Sequence, residues 1–356
     1  MLNNTIYRLR HDMRLTVGYF GGSITEGACA SEERFCWREL CSAWMKKTFP
    51  DCAVTSINAA IGGTGSDLGI FRLEHDLLSH QPDLIFLEFT TNDSGGDYRE
   101  TLIHSETLVR KIFECNPYAE IVYVHTMTKG MAQKLTEGGE ITSRVAHSSV
   151  MHHYGIPQID VGEILRTRIL TEGCDWKTYT EDNVHPNDQG YAIYADAVTA
   201  FLGERLLDKE VNPLTPKQLP APLTTTERMG ARLADAWEAA NEEFVRVEKS
   251  FCGRYPRYIE ATTPGATLSY RFTGRGIGIY MMLAKDSGDL LYSIDGSEEK
   301  SVRTWDSYCL RFNRVGGHLM YDALPFGEHM LTLRVADTKA EQSEGHAIRI
   351  GAFLVY

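Results

Sequence analysis

The sequence predicts an α/β chain with a three-layer α/β/α arrangement over residues 15–208, followed by a β-sandwich over residues 244–356. Three observations carry this reading. Short apolar runs alternate with amphipathic stretches in the first part, the pattern of strands and covering helices. A segment from Asn212 to Pro222 holds four prolines and cannot continue a helix. Beyond about Phe244 the apolar period changes to two.

In order, the strand candidates of the first part are 15–20, 53–58, 84–89, 120–125 and 157–161. Runs such as Leu84-Ile85-Phe86-Leu87 are apolar without alternation, which suits strands buried on both faces of a parallel sheet. Helical patterns lie between them at 34–48, 67–79, 98–115, 142–154 and 188–207. Trp37 and Trp44 are seven apart on the first of these and are expected to pack the sheet. Residues 1–208 thus form one expected domain, and 209–243 a linker with a short helix. A capping box at Thr224–Glu227 predicts that helix, running to about Ala240. In the last part Leu268, Tyr270 and Phe272 alternate with Ser269 and Arg271, and Asp295-Gly296 reads as a tight hairpin. Several such short strands imply a sandwich, jelly-roll-like in outline.

Composition narrows the function. The chain has 356 residues and a net charge of −12, which argues against nucleic acid and anionic membrane as partners. No apolar stretch reaches membrane-spanning length, and residues 1–10 lack the apolar core of a signal peptide. Eight cysteines are scattered without a CxxC pair, so neither a metal ribbon nor a disulfide framework is indicated. Free thiols in a cytoplasmic protein, with no metal and no cofactor, is the expectation.

In an open parallel sheet, ligands sit beyond the carboxyl ends of the strands. The segments found there are Gly21-Gly22-Ser23, then Asn58 through Ser66, then Thr90-Thr91-Asn92-Asp93. Asp182-Asn183-Val184-His185-Pro186 precedes the last helix. Gly21 and Gly22 allow backbone angles that expose the Ser23 hydroxyl. A serine hydroxyl becomes a nucleophile only when a base takes its proton, and His185 suits that task near neutral pH. Asp182, three residues earlier, is placed to orient the imidazole. Pro186 keeps His185 out of the helical region. Backbone N–H groups of Ser23 and Gly63, with the Asn92 side chain, are candidate donors to a tetrahedral oxyanion. One such donor contributes roughly 3–4 kcal/mol in the transition state.

Other readings compete. Ser23 alone is more often a helix cap than a nucleophile. Gly63-Thr64-Gly65-Ser66-Asp67-Leu68-Gly69 opens a helix after a strand, as a dinucleotide loop does, but its spacing is G-x-G-x-x-x-G. His152, His153 and Asp160 evoke a metal site, although adjacent histidines on a helix point about 100° apart. His125 is a candidate for the pocket mouth. Trp176 and Tyr179 either flank substrate or pack their loop, and residues 126–140 form either a pocket wall or an ordinary surface loop.

Together, the four segments resemble the SGNH (GDSL-like) hydrolase superfamily. That resemblance implies a flavodoxin-like sheet, Ser23 as nucleophile, Asp182 and His185 as its partners, and Gly63 and Asn92 as oxyanion donors. The chain departs from the pattern in two places: Gly22 stands where the family usually has aspartate, and Thr90-Thr91 rather than glycine precede Asn92-Asp93. The choice of Gly63 over Gly62 rests on counting from Asn58 and stays open. The turn is not a G-x-S-x-G elbow, because position 25 is threonine. Members with an appended sandwich resemble carbohydrate acetylesterases. The implied substrate is therefore an acetyl ester of a sugar or oligosaccharide, with a homo-oligomer possible for the protein itself. Lysophospholipase or thioesterase action on the same triad, and glycan binding without catalysis, are the alternatives.

Overall fold

A computed structural model describes residues 2–253 and 255–356. The chain divides into two compact units, one ending at Met229 and the other beginning at Gly230. Each has its own apolar core.

The first unit opens with a short helix α1 (Asn3–Tyr7). It continues through β1 (Arg14–Gly21), α2 (Ser23–Glu26), α3 (Trp37–Thr48), β2 (Ala53–Asn58) and α4 (Ser66–Asp76). Next come β3 (Leu84–Glu88), α5 (Tyr98–Cys115), β4 (Glu120–His125), α6 (Lys129–Thr136), α7 (Thr142–His153), β5 (Gln158–Asp160), α8 (Val161–Glu172) and α9 (Asp188–Leu206). The five strands form one parallel sheet in the order β2-β1-β3-β4-β5. This is the flavodoxin-like order, and its direction reverses between β1 and β3. Side chains of β1 alternate between faces. Tyr19 stacks on Phe86 and meets Trp37 of α3 edge-on, on the side where α3, α8 and α9 pack together. Phe20 points the other way and meets Phe89, with Gly69 of α4 close to both rings. Trp37 is fully buried and Trp44 partly so, in keeping with the seven-residue spacing.

Two helices were hidden in the sequence. α8 buries only Val161, Gly162, Leu165 and Ile169, while Ile164 and Leu170 face solvent and blur its stripe. α6 is short and is started by the Thr128 side chain, which accepts from the Met131 N–H. Met127, Met131 and Ala132 sit in the core while most of the remaining residues of 126–140 are exposed, so the segment is a surface helix and turn anchored by its first part.

The proline-rich segment does not continue a helix, and it straps the first unit. Thr215 and Asn4 exchange hydrogen bonds, the Lys217 N–H donates to the Pro117 carbonyl, and the N–H groups of Leu223 and Thr224 donate to the Glu106 carboxylate. The helix expected to run to Ala240 is absent. A single turn at Glu227–Gly230 gives way to a strand, β6 (Arg232–Asp235), and a turn at Ala236–Ala239. Tertiary pairing overrides the local cap here. The last strand of the chain, β15 (Ile348–Val355), needs a partner for residues 352–355, and β6 supplies it.

The second unit contains β6, β7 (Val245–Val247), β8 (Tyr258–Ala261), β9 (Thr267–Gly274), β10 (Ile277–Leu283), β11 (Asp289–Ile294), β12 (Lys300–Arg303), β13 (Arg314–Tyr321), β14 (Gly327–Val335) and β15. They form a six-stranded sheet, β13-β10-β15-β8-β7 with β6 on β15, and a four-stranded sheet, β12-β11-β14-β9. All these pairings are antiparallel. The two sheets share one core, in which Tyr270 of β9 stacks on Phe353 of β15 at 3.7 Å between ring centres. The unit is the β-sandwich read from the period of two. Asp295 and Gly296 both have positive φ (49° and 75°), as the tight hairpin requires.

His125 ends β4, but it is only 3% exposed, so it does not line a pocket mouth. Its ring bonds Thr90 and Gln158, and burial pushes its pKa down to about 3. A histidine neutral in the fold and free to charge when unfolded stabilises the protein above about pH 6.5. That contribution is lost as pH falls toward 3. The urea midpoint is therefore expected to drop between about pH 7 and 4. His125→Gln, which takes up no proton on unfolding, should show a shallower dependence over the same range.

Candidate active site

The site lies at the carboxyl edge of the parallel sheet, beside the β1/β3 reversal. β1 ends at Gly21, which is in register with Glu88, the last residue of β3. Gly22 is extended and Ser23 opens α2. The Ser23 Oγ lies 2.7 Å from His185 Nε2, and His185 Nδ1 lies 2.8 Å from Asp182 Oδ2. The three residues that the sequence singled out thus form one hydrogen-bonded chain, 162 and 3 positions apart.

The loop that brings His185 is a small closed hairpin. Thr180 bridges Pro186, the Glu181 N–H donates to the His185 carbonyl, and Asn183 takes a positive φ of 67°. The Lys129 N–H at the start of α6 holds the Asn183 carbonyl. Trp176 and Tyr179 are buried in the core beneath, so they pack this loop rather than flank substrate. Asp182 accepts from the N–H groups of Val184 and His185 through Oδ1, leaving Oδ2 for the imidazole. Burial works against its charge, but the His185 N–H, the His185 ring and the Val184 N–H together hold its pKa below the usual aspartate value. The carboxylate therefore stays ionised and fixes the ring with Nε2 toward Ser23.

The turn before Ser23 answers the departure at position 22. A Cβ there would lie 1.9 Å from the Asn92 Oδ1, so the Asn92 amide occupies the space an aspartate would need. The turn is held instead by an acid from another strand. Glu88 is fully buried and accepts from the Gly22 N–H, from Thr25 Oγ1 at 2.9 Å and from Thr126 Oγ1 at 2.7 Å. Burial pushes the Glu88 pKa up, against the pull of these three donors.

The second segment is held by two further residues. Arg72 of α4 is fully buried and donates to the carbonyls of Ala59 and Gly21 and to Thr64 Oγ1, with its guanidinium over Phe20. Asp93 accepts from the Ser66 N–H at 2.9 Å and from buried His147 at 2.8 Å. Burial opposes its charge most strongly, but the interactions with His147 and Ser66 together outweigh it and its pKa is lowered. A carboxylate already fills the amino end of α4, which removes the place a dinucleotide pyrophosphate would take. Gly62 and Gly63 are now distinct. The Gly62 N–H donates to Glu26 Oε2 at 2.8 Å. Gly63 adopts φ +72°, and among the described residues its N–H meets no acceptor. The Ser23 N–H and the Asn92 side chain are likewise without a protein partner among the described residues.

His152 and His153 end α7, and His153 bonds the Ala221 carbonyl. Asp160 instead caps α8 and pairs with Arg144. They do not meet as a ligand set. Glu88, Arg72, Asp93 and Glu26 were not found from the sequence, although the lone acid closing an apolar strand run was a visible sign of Glu88.

Residues 19–193 match the model of the GDSL-like lipase/acylhydrolase family. The first unit is a GDSL-like acylhydrolase domain. Over that unit the chain is similar to the GDSL-like acylhydrolases, and a β-sandwich is added to it. Among solved structures, it is similar to a two-domain esterase (CEX) active on acetylated mannans. The TM-score is 0.82 at 22% identity, over 98% of this chain and 95% of that one. The same esterase co-crystallised with mannopentaose matches with a TM-score of 0.81 at 22% identity, over 98% and 94% of the two chains. No curated protein is similar enough in sequence to match.

Removing Glu88 leaves three donors buried without an acceptor. Glu88→Ala is expected to lower stability by about 3 kcal/mol, read as a reduced urea midpoint. It is also expected to lower kcat for p-nitrophenyl acetate while leaving KM nearly unchanged.

Proposed function

We propose that Ser23 is the nucleophile of this esterase and that its natural substrate is an O-acetylated sugar or oligosaccharide. The observation that carries the mechanism is the chain of short bonds from Ser23 through His185 to Asp182, with unpartnered donors beside it.

His185 Nε2 takes the Ser23 proton as Oγ attacks the ester carbonyl. The carbonyl electrons move to oxygen, and the N–H groups of Ser23 and Gly63 and the Asn92 amide stabilise that charge. Glu26 engages the Gly62 N–H, which leaves Gly63 as the donor from that loop. Collapse breaks the ester bond, and the departing sugar hydroxyl receives the proton from His185. Water then attacks the acyl-enzyme, giving its proton to His185. A second collapse releases acetate and returns the proton to Ser23. This cycle requires neither a cofactor nor a metal.

The acetyl-sugar reading is supported by the shared two-domain layout with the esterase active on acetylated mannans. The eight unpaired cysteines support a reducing, cytoplasmic location.

Ser23→Ala is expected to fold normally, with an unchanged urea midpoint, and to lose at least about a thousandfold in kcat on p-nitrophenyl acetate. Asn92→Ala should lose about a hundredfold. The wild-type protein should release acetate from acetylated oligosaccharides and cleave p-nitrophenyl acetate faster than the decanoate. Faster cleavage of the decanoate would overturn the acetylesterase assignment.

A further inference from the structure

One cluster beside the triad has no part in that mechanism. Cys29 follows α2, and its sulfur, one Asp182 oxygen and one His185 ring nitrogen all lie within 4.8 Å of one another. Among the described residues this is the one such group of metal-ligating side chains. Cys29 and Asp182 are exposed and His185 partly so, which leaves the group open to solvent. Its backbone is fixed on both flanks. The Ala28 N–H donates to the Ser23 carbonyl, Tyr191 Oη donates to the Ala28 carbonyl at 2.6 Å, and the Ala30 N–H donates to the Gly27 carbonyl. Burial, and after it the negative charges of Asp182 and Glu181, push the Cys29 pKa up, so the group rests as a thiol in a negative field.

We propose that Cys29, Asp182 and His185 form a site for a thiophilic divalent cation, Zn2+ above all, and that its occupation switches the esterase off. A sulfur, a nitrogen and a carboxylate oxygen make up a donor set typical for zinc. Zinc binds sulfur at about 2.3 Å and nitrogen or oxygen at about 2.0–2.2 Å, so its donors stand about 3–4 Å apart. Binding requires the exposed Cys29 side chain to move in from the present spacing of up to 4.8 Å, and a metal on Nδ1 also requires Asp182 and the ring to part from their 2.8 Å hydrogen bond. Binding displaces the thiol proton to solvent, and the thiolate becomes the ligand. The consequence for catalysis follows from the single lone pair of neutral imidazole. If the metal takes Nε2, the base is used directly. If it takes Nδ1, the ring proton moves to Nε2, which then cannot accept from Ser23. Either way Ser23 loses its base, and with the metal on Nδ1 Asp182 also loses its bond to the ring.

The inhibition rests on the triad reading; the metal site does not. Two readouts therefore test them separately. In the first, Zn2+ is titrated into wild type and Cys29→Ala, each normalised to its own metal-free rate on p-nitrophenyl acetate. Wild type should be inhibited and should recover with EDTA, and Cys29→Ala should need at least about tenfold more zinc, the minimum that losing even an outer-shell partner costs. In the second, Co2+ is added and thiolate-to-cobalt charge-transfer absorption is followed. Wild type should show it in excess of Cys29→Ala by one equivalent, and Ser23→Ala should keep it. Equal zinc sensitivity of wild type and Cys29→Ala, or cobalt spectra that do not depend on Cys29, would overturn the proposal. A wild type inactive both with and without metal would count against the triad reading alone, because the cobalt spectrum would still decide the site, whereas activity lost on removing metal would overturn the inhibitory role.

Discussion

Glu88 is a carboxyl group without water, and the strand exits on either side of it supply its hydrogen-bond partners. The Gly22 N–H comes from the turn after β1, Thr25 from the helix that Ser23 opens, and Thr126 from the end of β4. Burying an unpaired charge costs so much that such a group is either satisfied or neutral. Satisfying it therefore requires the β1 and β4 exits to converge on the end of β3. That convergence sets where Ser23 emerges. The side chain of Asn92, four residues beyond Glu88, then lies against Gly22 in the space left free by the missing Cβ. The glycine at position 22 and the glutamate at the end of β3 are thus two halves of one arrangement.

The rest of the site is held by similar long-range ties. Arg72 joins the carbonyls after β1 and β2, and Asp93 joins the start of α4 to α7 through His147. Both are buried charges with several partners, so loops that would otherwise be mobile act as extensions of the sheet. The His185 loop is fixed differently, by its own hairpin and by the start of α6. Ser23 and His185 therefore meet as the ends of two separately braced segments. A reactive hydrogen bond needs that kind of pre-positioning.

Much of this was legible in the sequence, and the parts that were not share a cause. All five strands of the first unit were placed to within a residue or two, because runs buried on both faces have no polar interruptions to mislead. Ser23, Asp182 and His185 were recognisable because each sits next to a strand end or helix start with a distinctive neighbour. What stayed hidden depends on partners far along the chain. The β6 strand was read as a helix because the capping box is local, whereas the need of β15 for a partner is not. His125 looked available at a strand end, yet Thr90, Ser148 and Gln158 close around it. Glu88 and Arg72 carry no motif, and only the assembled sheet shows what they bind. Gly62 and Gly63 could not be separated until the Glu26 carboxylate was seen to take one N–H and leave the other.

The central claim is that this sheet edge makes Ser23, and no other residue, the acyl acceptor. The most direct measurement is to quench the enzyme with acid during turnover of p-nitrophenyl acetate and map the acetyl group by peptide mass spectrometry. The account predicts one acetyl group, on the peptide containing Ser23, absent in Ser23→Ala and forming far more slowly when His185, the base that activates Ser23, is replaced by alanine. Full activity with the acetyl group on another residue, or with Ser23→Ala still forming the adduct, would contradict it.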